Sequence, residues 1–279
     1  MKIAYICYEG QLLQGLSDED TLLLNFLQQK GLDIHREVWT DAGVKWEQYQ
    51  LVILKSPWDY IDNIKAFYSW LSKLESLQIR LLNPYDIVRW NSDKHYIREM
   101  MDADLPVIPA VYIEKGTQPL WPAYFSNFNT DKLIVKPCIS GGSKNTFVVT
   151  PGKLPALVFD EAFMVQPFMP EILEGEWSFL FFNGVFSHCL LKRPVPGEFR
   201  VQRQFGGSAE PQTPPAAYLA TALSFVERYA NGCLYARVDG VVKEGRFLLM
   251  ELELIEPLLF LSTSEQYEHY YQALKQIIA

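Results

Sequence analysis

The feature that most constrains the fold of this 279-residue chain is the exchange of two hydrophobic periods over its first 84 residues. KIAYICY is a short apolar run rich in β-formers, and the stretch from Asp18 to Lys30 repeats Leu22, Leu23, Phe26 and Leu27 at helical spacing. Ser17 or Asp18 suits the N-cap of that helix and Gly31 its stop. LDIHREVW and QLVILKS read as further strands, the latter so apolar that both its faces must be buried. Ile64 to Leu77 reads as a second amphipathic helix and IRLLNP as a fourth strand. Alternating strands and helices predict a parallel sheet with right-handed crossovers, an α/β domain over 1–84 ended by Asn83-Pro84.

The rest of the chain changes character. A helix from about Ser92 to Ala103, with Asn91 or Ser92 as cap, precedes three short strands, VIPAVYI, DKLIVKP and NTFVVTP, in an α+β unit over 85–164. Residues 165–279 hold long β runs, EWSFLFFNGVFSHCLLKR and LYARVDGVVKEGRFLLMELELIEP, separated by the helix AAYLATALSFVERYA and closed by SEQYEHYYQALKQII. A composition 49% hydrophobic and 21% charged excludes a disordered or collagen-like chain. Net charge −8 argues against general nucleic-acid binding. No apolar run approaches the ~18 residues of a membrane span, and the N-terminal run is too short for a secretory signal. Cys7, Cys138, Cys189 and Cys233 lack CxxC spacing, and His35, His95, His188 and His269 lack metal spacing. The expectation is a soluble, cytoplasmic, reduced protein. Trp39, Trp46, Trp58, Trp70 and Trp90 read as core, yet SPWDY at 56–60 lies just past a buried strand, where open α/β sheets place ligands.

Four stretches carry residues suited to chemistry. In ARVDGVVKEGRFLLMELELIEP, Glu251 and Glu253 are two apart on a strand and share a face, and a hairpin at Gly245 brings Asp239 and Arg237 beside them. Met250, Leu252 and Leu254 then fall on the opposite, core face. Three carboxylates among apolar residues repel one another unless a cation sits between them, which suits Mg²⁺; a half-exposed strand of alternating charge has the same pattern. In LIVKPCISGGS, Lys136 ends a strand before a Gly-Gly turn able to cradle phosphate, or forms an ordinary hairpin. MVQPFMPEILEGEWSF runs through Gln166 to Glu176, the edge of an adenine slot with an acceptor for ribose hydroxyls, or a plain loop. KRPVPGEFRVQRQFGG clusters Lys192, Arg193, Arg200 and Arg203, for phosphates or a carboxylate, or for a solvated loop.

In this order the four stretches resemble the ATP-grasp superfamily of carboxylate–amine ligases, over roughly residues 84 to 265. The resemblance is to its glutathione synthetase-like and ribosomal-protein-modifying glutamate ligase-like branch. Within that branch, small proteins that include a cycloserine-forming ligase carry SPWDY, WNSDK, VQPF, GEFRVQ, ARVDG and MELELIEP as this chain does. The resemblance implies two α+β subdomains clasping ATP behind the N-terminal α/β domain. It assigns Lys94 and Lys136 to nucleotide phosphates, Gly141, Gly142 and Ser143 to a mobile loop over them, Val165 to the adenine hinge and Glu176 to the ribose. Arg200 matches a basic residue near the phosphates and the acyl intermediate, and Arg237 with Asp239 matches an Arg-x-Asp pair. Asp239, Glu251 and Glu253 fall on the metal positions for Mg²⁺, with Mn²⁺ as a substitute, although the family carries Asn where Glu253 stands. The implied reaction is ATP-dependent activation of a carboxylate, of an amino acid or short peptide, as an acyl phosphate for attack by an amine. Intramolecular ring closure and a non-catalytic nucleotide-binding module are the alternatives, and a homodimer is an assembly the resemblance admits. Tyr8, Glu9, Trp58, Asp59 and Tyr60 are expected to select the substrate.

Overall fold

A computed structural model describes residues 1–8, 18–155 and 159–279. The first domain runs β1 (Lys2–Cys7), α1 (Glu19–Gln29), β2 (Asp33–Glu37), β3 (Leu51–Ser56), α2 (Ile64–Ser76) and β4 (Arg80–Leu82). Its sheet has order β2-β1-β3-β4 and is parallel throughout, as the alternation requires. Asp18 caps α1 by accepting from Thr21 N at 3.0 Å, while Ser17 lies outside the described residues.

Two short helices follow, α3 (Tyr85–Asn91) and α4 (Tyr96–Asp102), where the sequence suggests one. Asn91 therefore ends a helix rather than capping one. The second sheet contains β5 (Val111–Ile113), β6 (Leu133–Pro137), β7 (Phe147–Val149) and β8 (Phe163–Pro167), with α5 (Trp121–Phe128) between β5 and β6. Its order is β5-β8-β6-β7, all antiparallel, so VQP belongs to this sheet. The third sheet contains β9 (Glu176–Phe182), β10 (Val185–Arg193), β11 (Ser208–Gln212), then, after α6 (Ala216–Tyr229), β12 (Tyr235–Lys243) and β13 (Arg246–Glu253). Its order is β11-β10-β9-β12-β13. Helix α7 (Ser264–Ile278) closes the chain on a capping box formed by Thr263 and Gln266.

One face of the third sheet, with Phe179, Phe181, Val238 and Leu252, packs on α4 and α6. The other face is divided. Leu180, Phe182 and Leu190 meet Ile3, Tyr5 and Tyr270 and seal that end against the first domain, while the remainder faces the second sheet across a cleft. Trp39, Trp46 and Trp70 form an aromatic cluster with Phe67 under the first sheet. All four cysteines are free and buried.

Candidate active site

Cross-strand register assembles the polar face. Glu176 on β9 lies opposite Lys192 on β10, Ser178 opposite Asp239 on β12, Asp239 opposite Glu251, and Arg237 opposite Glu253 on β13. Directly opposed residues share a face, so seven polar side chains from four strands project together. Each carboxylate meets a cation. Arg237 donates through Nε and Nη2 to Asp239 at 2.8–3.1 Å and also pairs with Glu253. Lys192 joins Glu176 and Asp239, and Lys94 lies 3.1 Å from Glu251.

The edge of β13 is held by side chains rather than by a strand. Asn91 Nδ2 donates to Leu252 O at 2.8 Å and Asn91 Oδ1 accepts from Leu254 N at 2.9 Å. Tyr96 Oη accepts from Leu252 N at 3.0 Å. Further back, Ile108 N donates to Leu249 O, and Leu249 N to Pro106 O. Between these supports the ladder slips, because Asp239 pairs with Glu251 but Gly240 with Leu249. Met250 is the extra residue of that bulge. It leaves the core face predicted for it and packs with Ile108, Met169, Ile172 and Val201 beside the cleft.

The cleft encloses about 400 Å³. Lys94, Lys136, Gln166, Glu176, Lys192, Arg200, Arg237, Asp239, Glu251 and Glu253 all line it, with Gly141, Gly142 and Ser143 as its roof. Val165 does not: its side chain packs into the small-sheet core with Val135 and Trp121, because β8 alternates and only Gln166 turns outward. Arg200 stands at the rim, bonded to Glu198 and over the Phe205 ring, apart from the Arg237 cluster.

Electrostatics divides the carboxylates. Burial alone would raise Asp239, but Arg237 and Lys192 hold it well below the usual range. Glu251 is likewise held down, against burial, by Lys94 and Lys136. Glu176 is raised by burial more than Lys192 lowers it. Glu253 is raised well above its ordinary value by burial and by Asp239, Glu251 and Glu256, which outweigh Arg237. Burial and Glu251 push Glu256 to about 7. Lys136 is lowered by burial, with Lys94 adding to the effect.

From the first domain, Trp58, Tyr60 and Ile61 line the same cleft, and Trp58 Nε1 donates to Glu256 O at 3.1 Å, so Trp58 is a wall residue rather than core. Asp59 instead accepts from Trp39 Nε1 at 2.7 Å. Tyr8 borders a separate surface dent with Arg36 and Asp41, and Glu9 lies outside the described residues. Lys144, just past the glycines, pairs with Asp62, and Gln204 Nε2 donates to Gly142 O at 3.1 Å. Sequence spacing gave no sign of Met250, Phe168 or Phe260, which the bulge and the loops bring in. It also missed Asp93, His95 and Cys138, whose donor atoms lie within 4.8 Å of one another behind Lys94.

The N-terminal domain family of D-cycloserine synthetase DcsG matches residues 3–83. The cycloserine biosynthesis protein DcsG of Streptomyces lavendulae is 27% identical over 249 residues, spanning 81% of this chain and 82% of that protein. The crystal structure of D-cycloserine synthetase DcsG superposes with a TM-score of 0.84 at 21% identity, over 99% of this chain and all of that one. D-alanine–D-alanine ligase from Bacillus anthracis, complexed with ATP, gives 0.70 at 19% identity over 100% and 96% of the two chains. The chain therefore has the fold of D-cycloserine synthetase DcsG and of the ATP-grasp ligases, and is similar in sequence to the cycloserine biosynthesis protein DcsG.

Proposed function

We propose that the protein is an ATP-dependent carboxylate–amine ligase acting on an amino acid or a short peptide, with the cleft between the second and third sheets as its active site. The observation that carries this reading is the interleaved array on one face of β9, β10, β12 and β13, where Glu176, Asp239, Glu251 and Glu253 alternate with Lys192 and Arg237. Such an array suits phosphoryl transfer, in which catalysis is mainly positioning and charge neutralisation.

Lys94, Lys136 and Lys192 face the nucleotide phosphates, the Gly141–Ser143 backbone covers them, and Gln166 with Met250 and Phe168 borders the base. A divalent cation fits Asp239, Glu251 and Glu253, since these are hard oxygen donors on one face and the crowding of Glu253 by Asp239, Glu251 and Glu256 outweighs its pairing with Arg237. Mg²⁺ or Mn²⁺ held there would offset phosphate charge. The substrate carboxylate oxygen bonds to the γ-phosphorus as the bond to ADP breaks, giving an acyl phosphate. The amine nitrogen then bonds to the acyl carbon, the carbon–phosphate oxygen bond breaks, and the amine loses a proton. Arg237 offsets the charge carried on the transferring group. Glu256, with a pKa near neutrality, is placed to accept the proton.

Ring closure of one amino-acid derivative is a second reading, favoured by the match to DcsG over 81% of the chain. The test is ADP release from Mg·ATP across D- and L-amino acids, singly and in pairs, followed by product mass. Ligation needs two organic substrates and ring closure one; a product equal to one substrate less water selects closure. No ADP release with any of them, together with no Mg·ATP-induced rise in unfolding temperature, overturns the enzyme reading.

A further inference from the structure

Away from the cleft, the first domain buries a charged cluster that the reaction does not use. Lys55 is 1% exposed, Glu19 5% and Asp20 4%. Lys55 Nζ lies 2.9 Å from Glu19 and 3.0 Å from Asp20, and Ser56 Oγ donates to Asp20. Burying three charges is costly unless every group is paired, so where the remaining lone pairs go matters.

Those of Glu19 leave the domain. Oε1 accepts from Leu259 N at 2.9 Å and Oε2 from Leu261 N at 3.1 Å. One carboxylate thus grips the two amides flanking Phe260, a residue in the left-handed region at φ 53°. A phenylalanine rarely adopts that conformation without outside support. His188 Nε2 donates to Leu259 O at 2.9 Å and Arg237 Nη1 donates to Leu258 O at 3.1 Å. Leu258 and Phe260 both line the cleft, and the Arg237 guanidinium lies 5.7 Å from the Phe260 ring centre.

We infer that Glu19, held by Lys55, is a positioning residue of the active site: it clamps 259–261 so that Phe260 and the Leu258 carbonyl fix the guanidinium of Arg237. This rests on the ligase reading for the chemistry at Arg237 but not for the clamp itself. Glu19→Gln keeps the side-chain shape but sets an amide NH₂ against one of the two donors, so one grip is lost.

The experiment compares wild type with Glu19→Gln by ¹⁵N NMR and by turnover. The expected result is a shift of the Leu259 and Leu261 amides and of the Arg237 Nε–H signal, with the Kd for Mg·ATP within about twofold and kcat for ADP release down about tenfold or more. A loss of general stability alone would move neither the Arg237 signal nor kcat against an unchanged KM for ATP. Unmoved amides, or moved amides with the Arg237 signal and kcat unchanged, overturn the inference. Should Glu19→Gln fail to fold, hydrogen exchange on the wild type decides: Leu259 and Leu261 amides as slow as those of β12 support the clamp, and loop-like exchange refutes it. The NMR signals need no substrate, so failure to find any ADP release counts against the ligase reading and leaves the clamp to be judged on the spectra.

Discussion

Replacing Glu256 by glutamine isolates one carboxyl group and tests the electrostatics of the cleft. The ordinary glutamate value is 4.5, and burial with the nearby Glu251 raises Glu256 to about 7. A raised carboxyl binds its proton more tightly in the folded state. Its contribution to stability is therefore fully present below the unfolded value and is lost as pH rises through the folded one. The whole difference corresponds to about 3 kcal/mol, of which about 2 kcal/mol falls between about pH 5.5 and about pH 8.5. The neutral amide of Glu256→Gln undergoes no such loss. The variant should thus gain on wild type by about 2 kcal/mol across that interval, or ~4 °C in Tm for a chain of this size. Thermal unfolding followed by circular dichroism in EDTA, in steps of about half a pH unit, measures the gap. Parallel Tm curves for the two proteins would show that Glu256 ionises freely, and both the burial argument and its role as proton acceptor would fail.

Three further outcomes are expected. Asn91→Leu strands the Leu254 amide and leaves the Leu252 carbonyl with the Tyr96 hydroxyl at 3.2 Å, and should cost about 1–3 kcal/mol in urea unfolding, with weaker Mg·ATP binding because Glu251 and Glu253 lie on the released edge. Gly240→Ala places a Cβ 2.2 Å from the Leu248 carbonyl oxygen, so the bulge must shift and stability should fall by about 3 kcal/mol in the same assay. Divalent-ion binding must drive the proton from Glu253, whose carboxyl is raised, so calorimetry in two buffers should show proton release and an affinity that rises with pH.

The alternation of MELEL and RVD was enough to put Arg237, Asp239, Glu251 and Glu253 on one face, because period two is a property of the strand itself. What β13 owes to its neighbours was hidden. The bulge that turns Met250 toward the cleft exists because Leu249 is fastened from 106–108 and Leu252–Leu254 from Asn91 and Tyr96, contacts more than a hundred residues apart in sequence. Asn91 fitted a helix cap equally well by residue type. Helix α5 was missed since WPAYFSNF offers only two turns and little polar contrast. Val165 and Gln166 show the limit of a motif: VQPF marks the right strand, but the pleat decides which of the two side chains reaches the cleft.

The roof over the cleft is fastened lightly. Lys94 holds its base through Ser140 O, but among the described residues the tip is tied by Lys144 to Asp62 and by Gln204 to Gly142, both wet, and the first joins side chains 51% and 58% exposed. An exposed ion pair of this kind contributes about 0–1 kcal/mol and is screened by salt. On the proposed ligase reading, opening therefore costs little beside the energy of a bound nucleotide, and the cargo rather than the hinge is expected to keep the roof shut during a turnover. On that reading the grip weakens once the phosphates are split between two products, so departure would be built into the same contacts that secured entry, and added salt should hasten it.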